Sequence, residues 1–232
     1  MMEKNVFNSM ERTYKELCLL LLLTLVIVPI GVELLLNELF QLVFSNHLYS
    51  GTLTGFVMAI IFTLGVYFIA LRPQHLKWKV VGFRSFSKSY WIWIIVWMIV
   101  LLVTSILIVI LMDFLQVGVE NRKTESLKVN ITWFTFSIGF ISAAIISPLY
   151  EEIFYRGFLY KWFRMKWGVG AGLFFSSFIF MLVHIPTYNT LPVNLISGLI
   201  FAWTYEKSGS ILPAIIIHGA FNGIAVILTT LV

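Results

Sequence analysis

The chain has almost no cysteine and little charge. Its one cysteine, Cys18, excludes an internal disulfide and a cysteine-built zinc site. Charged residues make up 12% of the chain, against about 25% in an ordinary soluble domain, too few to coat a water-facing surface. No Pro- or Ser-rich linker divides the sequence, so residues 1–232 are expected to form a single membrane domain. No internal repeat is visible, which disfavours the inverted-repeat transporters. Acidic residues are the scarcer sign, 11 against 16 basic, for a net charge of +5.

What is abundant is apolar surface. Hydrophobic residues are 59% of the chain and mean hydropathy is +0.93. Uncharged runs cover Leu17–Val32, Leu39–Leu71, Ser89–Met112, Val129–Tyr150, Trp167–Tyr205 and Ser208–Val232. A helix crosses the hydrocarbon core with roughly 20 apolar residues, so the run Trp167–Tyr205 is too long for one pass. It breaks at HIPTYNTLP, where Pro186 and Pro192 bracket a polar turn. The expected fold is all-α, a polytopic transmembrane helix bundle with about seven crossings, or eight. They fall near 16–36, 52–71, 90–112, 131–150 (continuing as helix to about 166), 169–185, 190–206 and 211–231. The segment LLLTLVIVPIGVE lacks a small-residue cleavage site and is expected to stay as the first crossing.

The basic excess could suggest nucleic acid, but its distribution does not. With a cytoplasmic N-terminus, the inner segments hold Lys4, Arg12, Lys15, five cations between Arg72 and Lys88, then Lys161, Arg164, Lys166 and Lys207. The outer loops hold only Arg122, Lys123 and Lys128. That is the positive-inside bias of a multi-pass cell-membrane protein. The bilayer is therefore the expected partner, and nucleic acid is not. Trp78, Trp91, Trp93, Trp133, Trp162 and Trp167 fall near expected helix ends, where interfacial anchors sit.

Polar residues inside such runs are costly and mark functional interiors. SPLYEEIFYRGF places Glu151 and Glu152 beside each other with Arg156 following; His184, and His218 with Asn222, come later. Each has a plain structural reading. Glu152 and Arg156, spaced i,i+4, can neutralise one another; His184 can cap a helix; Asn222 can tie two helices together. Their registers nevertheless converge. Gly168–Gly170 reads as a hairpin turn, and Glu151 and His184 lie at nearly equal sequence distances on either side, roughly 25 Å along each helix at 1.5 Å per residue. His218 lies roughly 15 Å beyond the EKSGS turn, an offset that a protruding first hairpin absorbs. Adjacent residues on a helix diverge by about 100°, so Glu152 can hold Arg156 while Glu151 points elsewhere.

The ordered set EEIFYR, FMLVH and HGAFN resembles the CAAX-protease and bacteriocin-processing family of intramembrane proteases, related to the type II CAAX prenyl proteases. The resemblance covers about residues 140–225. It implies an intramembrane endopeptidase of glutamic type acting on membrane-associated or lipidated peptides. In that reading Glu151 activates water together with His184, and desolvation suits it to general-base work near neutral pH. His218 and Asn222 donate to the oxyanion, while Glu152 and Arg156 support the site. No cofactor is expected, and no serine or cysteine nucleophile is evident, with Ser147 and Ser197 as remaining candidates. A zinc enzyme is the nearest rival, since two histidines and a glutamate make an acceptable set, although HExxH is lacking. Two non-hydrolytic classes also accommodate buried polar groups: a non-catalytic bacteriocin-immunity membrane protein and a transporter.

Overall fold

The structure, a computed structural model, describes residues 14–44, 46–116 and 132–231. Lys4, Arg12 and the outer cations Arg122, Lys123 and Lys128 lie outside the described residues. Six helices are described: α1 (Tyr14–Val43), α2 (His47–Gln74), α3 (Lys88–Phe114), α4 (Trp133–Leu182), α5 (Leu191–Ser208) and α6 (Leu212–Leu231). No strand occurs among the described residues.

By length and composition, α1 to α4 and α6 can cross a membrane, five helices rather than seven. The difference has two sources. α4 counts once, although Gly168 (φ 88°, ψ 176°) turns it into a first arm, 133–167, and a second arm, 169–182. This is the expected hairpin, compressed into one left-handed residue that glycine adopts without a Cβ clash. α5 interleaves Asn194, Ser197, Thr204 and Glu206 with its apolar residues and falls short of the apolar measure.

The first arm of α4 runs through the middle of the bundle. Residues 152–163 are buried on every side, as an enclosed helix must be. Phe154, Phe158 and Tyr160 pack there with Val66 and Leu71 of α2 and Leu20 of α1. One expected interfacial anchor is corrected here. Trp162 is fully buried, edge-on to Tyr14 (5.3 Å) and Trp167 (5.7 Å), because the enclosed stretch extends past it. Trp91, Trp93, Trp133 and Trp167 are exposed.

Around residues 142–146 and 152–160, α4 widens from i→i+4 to i→i+5 backbone bonding, a distortion that recurs at functional positions. Against the first of these stretches lies α6. A Cβ on Gly219 would overlap the carbonyl oxygen of Ala144, so glycine is what lets the two backbones meet. On the other side, Gly198 of α5 abuts Ser177 of the second arm at a similarly close approach.

One end of the bundle gathers the charge. Gln74 donates to Glu16 (2.6 Å), Lys161 donates to the carbonyl of Val80 (2.6 Å), and Arg164 pairs with Glu206 (2.6 Å). Arg84 donates to the carbonyl of Gly209 (2.6 Å), and the backbone N–H of Ile211 donates to that of Gly82 (3.0 Å). These bonds tie the end of α2 to the start of α1, and the 75–87 loop to α4 and the α5–α6 turn. Every described lysine and arginine except Arg156 belongs to that end.

Candidate active site

Arg156 is the anchor of the buried polar cluster. Its side chain and that of Glu152 are both 0% exposed, with Nη1 donating to Glu152 Oε1 at 2.9 Å. Nη2 donates to the carbonyl of Gly198 (3.2 Å), so the pair also ties the first arm of α4 to α5. The guanidinium lies over the rings of Phe180 (4.5 Å) and Phe201 (5.0 Å). A buried charge needs such partners, because desolvation costs on the order of several kcal/mol per ion when they are missing.

His218, carried by α6, completes the cluster. Its Nδ1–H donates to the same Glu152 oxygen at 2.9 Å. That one Glu152 oxygen thus accepts from both Arg156 and His218, while Glu152 Oε2 is buried without a hydrogen-bond partner. With Nδ1 thus committed as donor, Nε2 faces Glu151 Oε2 at 3.7 Å. The imidazole stacks on Phe201 at 4.6 Å and stands edge-on to Phe180 at 5.9 Å, which fixes its plane. The four side chains form a series, Arg156–Glu152–His218–Glu151, whose exposure rises from 0% at Glu152 through 6% at His218 to 14% at Glu151. Glu151 is the most exposed member of the series.

His184 sits just past the end of the second arm. Its Nδ1 lies 2.7 Å from the carbonyl oxygen of Phe180. A carbonyl only accepts, so Nδ1 carries the proton and Nε2 keeps its lone pair in the neutral ring. Its ring is 4.8 Å from that of Phe180, whose other neighbour is His218. Both imidazoles therefore flank one phenyl ring. Asn222, one turn beyond His218, donates one amide N–H to the carbonyl of Ala143 (3.0 Å) and keeps a second N–H on the same nitrogen.

The pairing of Glu152 with Arg156 follows from their i,i+4 spacing, whereas the bond between Glu152 and His218 was not legible in the sequence. It joins residues 66 apart in the chain. Phe180 is the first residue of FMLVH, so its motif position was a signal for its place beside both imidazoles. Gly198 and Phe201 had none. Of the two serines considered as nucleophiles, Ser197 is buried and donates its hydroxyl to the carbonyl of Asn194 (3.1 Å). Among the described residues no group of three or more His, Cys, Asp or Glu side chains is arranged to hold a metal ion.

Residues 132–224 match the family model described as type II CAAX prenyl endopeptidase Rce1-like, a protease family. The chain is also similar to the UPF0177 protein YbdI of Lactococcus lactis subsp. lactis (strain IL1403), with 28% identity over 106 residues. That alignment takes in 45% of this chain and 55% of the relative, so the match spans about half the relative's length. No solved structure matches the chain. All six candidate site residues fall inside the matched segment, and the resemblance carried by the three motifs agrees with it: residues 132–224 are similar to the Rce1-like type II CAAX prenyl endopeptidase family.

Proposed function

We propose that this chain is an intramembrane endopeptidase that hydrolyses peptide bonds of membrane-associated or lipidated peptides with water activated by Glu151. The observation that carries the proposal is the position of His218 between the two adjacent glutamates, 2.9 Å from Glu152 and 3.7 Å from Glu151. It lies in a segment that matches a protease family.

Each step has a group suited to it. Glu151 takes a proton from a water molecule, aided by the Nε2 lone pair of His184. The water oxygen bonds to the scissile carbonyl carbon, and the carbonyl π electrons move onto its oxygen. The free N–H of Asn222 and Nε2–H of His218, when protonated, donate to that oxyanion. Collapse of the intermediate breaks the C–N bond, and the leaving amine receives the proton from Glu151. Glu152 is a positioning residue, holding His218 with Nε2 toward the reacting centre, and Arg156 holds Glu152.

Zinc hydrolysis is the second reading, favoured by one observation. Both imidazoles anchor Nδ1 and present Nε2, as metal-binding histidines do. A catalytic zinc needs three converging protein donors, which His184, His218 and Glu151 would have to supply. Metal analysis of the purified protein decides between the two. Substoichiometric zinc and chelator-resistant activity agree with the glutamate mechanism; one zinc per chain, with activity lost to a chelator and restored by zinc, overturns it.

The proposed topology is seven crossings, with the two arms of α4 and α5 each counted as one and the basic end in the cytoplasm, as the positive-inside bias requires. Activity is tested with purified protein in liposomes and a quenched-fluorescent peptide ending in a prenylated cysteine, beside its unprenylated counterpart. Native protein should cleave the lipidated peptide. Glu151→Gln, which keeps shape and removes the base, should be inactive at normal abundance. Equal turnover by Glu151→Gln refutes the role given to Glu151.

A further inference from the structure

The basic end of the bundle carries chemistry that neither the fold nor the buried site consumes. Between Arg72 and Tyr90 the sequence has no acidic residue. Arg72, His75, Lys77 and Lys79 are exposed, while Gln74, Leu76, Trp78 and Val80 between them are tucked inward and Val81 and Gly82 are buried. This alternation is held in place. Lys161 grips the carbonyl of Val80, Arg84 that of Gly209, and the N–H of Ile211 that of Gly82. The cations are therefore displayed from a pinned backbone rather than a loose tether.

The described carboxylates of the same end do not neutralise them. Glu16 accepts from Gln74 (2.6 Å), and Glu206 accepts from Arg164 (2.6 and 2.8 Å) and Tyr160 (2.6 Å). Among the described residues no exposed carboxylate remains there. Exposed aromatics mark the depth: Trp91 and Trp93 are each 51% exposed and Trp167 is 52% exposed, as residues at headgroup level are. Lys88 precedes Trp91, Lys166 precedes Trp167 with its Nζ 5.3 Å over the Tyr14 ring, and the Arg72 guanidinium lies 5.4 Å over Phe68. Cations and aromatic anchors share one rim.

We propose that this rim is a binding surface for the phosphate headgroups of anionic phospholipids, with Arg72, Lys77, Lys79 and Lys88 as its principal contacts. The inference rests on the membrane-spanning reading, not on the peptidase activity. A topological charge bias acts only while the chain inserts, whereas a headgroup surface acts in the finished protein, so the two separate after purification. Each cation close to an anionic surface contributes roughly fivefold to binding, less as salt screens it.

The test uses full-length protein in nanodiscs doped with a trace of dansyl-labelled phosphatidylglycerol or phosphatidylcholine. Energy transfer from the rim tryptophans reports how strongly each lipid is held. Native protein should favour phosphatidylglycerol, and added salt should reduce the preference. Lys77→Gln with Lys79→Gln should lower it by about five- to tenfold, while Lys77→Arg with Lys79→Arg should keep it. Both positions are exposed, so neither pair should disturb folding. No preference for phosphatidylglycerol in the native protein, or an unchanged preference in the glutamine pair, overturns the proposal. Peptide cleavage is not read in either arm, so a failure here leaves the hydrolase reading standing.

Discussion

Glu152→Gln removes one charge from the centre of the buried cluster while leaving a side chain of nearly the same shape. In the native protein one oxygen of Glu152 accepts from Arg156 and from His218, each at 2.9 Å, with Glu152 and Arg156 fully enclosed. Removing one partner of a buried ion pair costs about 3–5 kcal/mol, because the remaining charge is stranded. The glutamine oxygen can still accept neutral hydrogen bonds, which restores about 1 kcal/mol. The expected loss is about 2–4 kcal/mol, or about 5–15 °C in melting temperature for a chain of this size. The assay is thermal unfolding of purified protein in detergent, followed by tryptophan fluorescence and by monodispersity after heating. Glu152→Gln with Arg156→Met should melt above Glu152→Gln alone, since the double change removes the stranded cation as well. If Glu152→Gln melts within about a degree of native, or if the double variant is the less stable, the buried-pair reasoning is wrong.

Three other perturbations follow from the same geometry. Asn222→Ala should reduce turnover by about 10²–10³ if its second amide N–H stabilises the oxyanion, with KM little changed and metal content unaltered; a rate within a factor of two refutes that role. Gly219→Val should destabilise the protein by about 1–3 kcal/mol, because the new side chain meets the Ala144 carbonyl. Gly31→Ala, where a Cβ meets nothing within 4 Å, should be neutral, and equal effects at the two glycines would contradict the packing described. Finally, Ser85→Cys in a Cys18→Ala background should resist a membrane-impermeant maleimide in intact cells and react after permeabilisation. Labelling of intact cells reverses the proposed orientation.

Helices long and apolar enough to cross a membrane, their bundling and the residue types of the buried polar cluster were legible in the one-dimensional pattern, because a bilayer leaves few options. Long uncharged runs cannot be anything but enclosed or lipid-facing helix, and ionisable residues within them stand out against that background. The hairpin at Gly168 and the pairing of Glu152 with Arg156 are local, set by one glycine and by the i,i+4 repeat. What only tertiary structure decided was non-local. It placed His218 on Glu152 rather than leaving that carboxylate to Arg156 alone, set Phe180 between the two imidazoles, and used the Gly198 carbonyl as a second acceptor for Arg156. It also buried Trp162, whose place near a helix end suggested an interfacial anchor, and showed that five helices meet the length and apolarity of a crossing. Helical periodicity assigns a residue to a face of its own helix. Which face meets which depends on close approaches such as Gly219 against Ala144, and those exist only once the helices have packed.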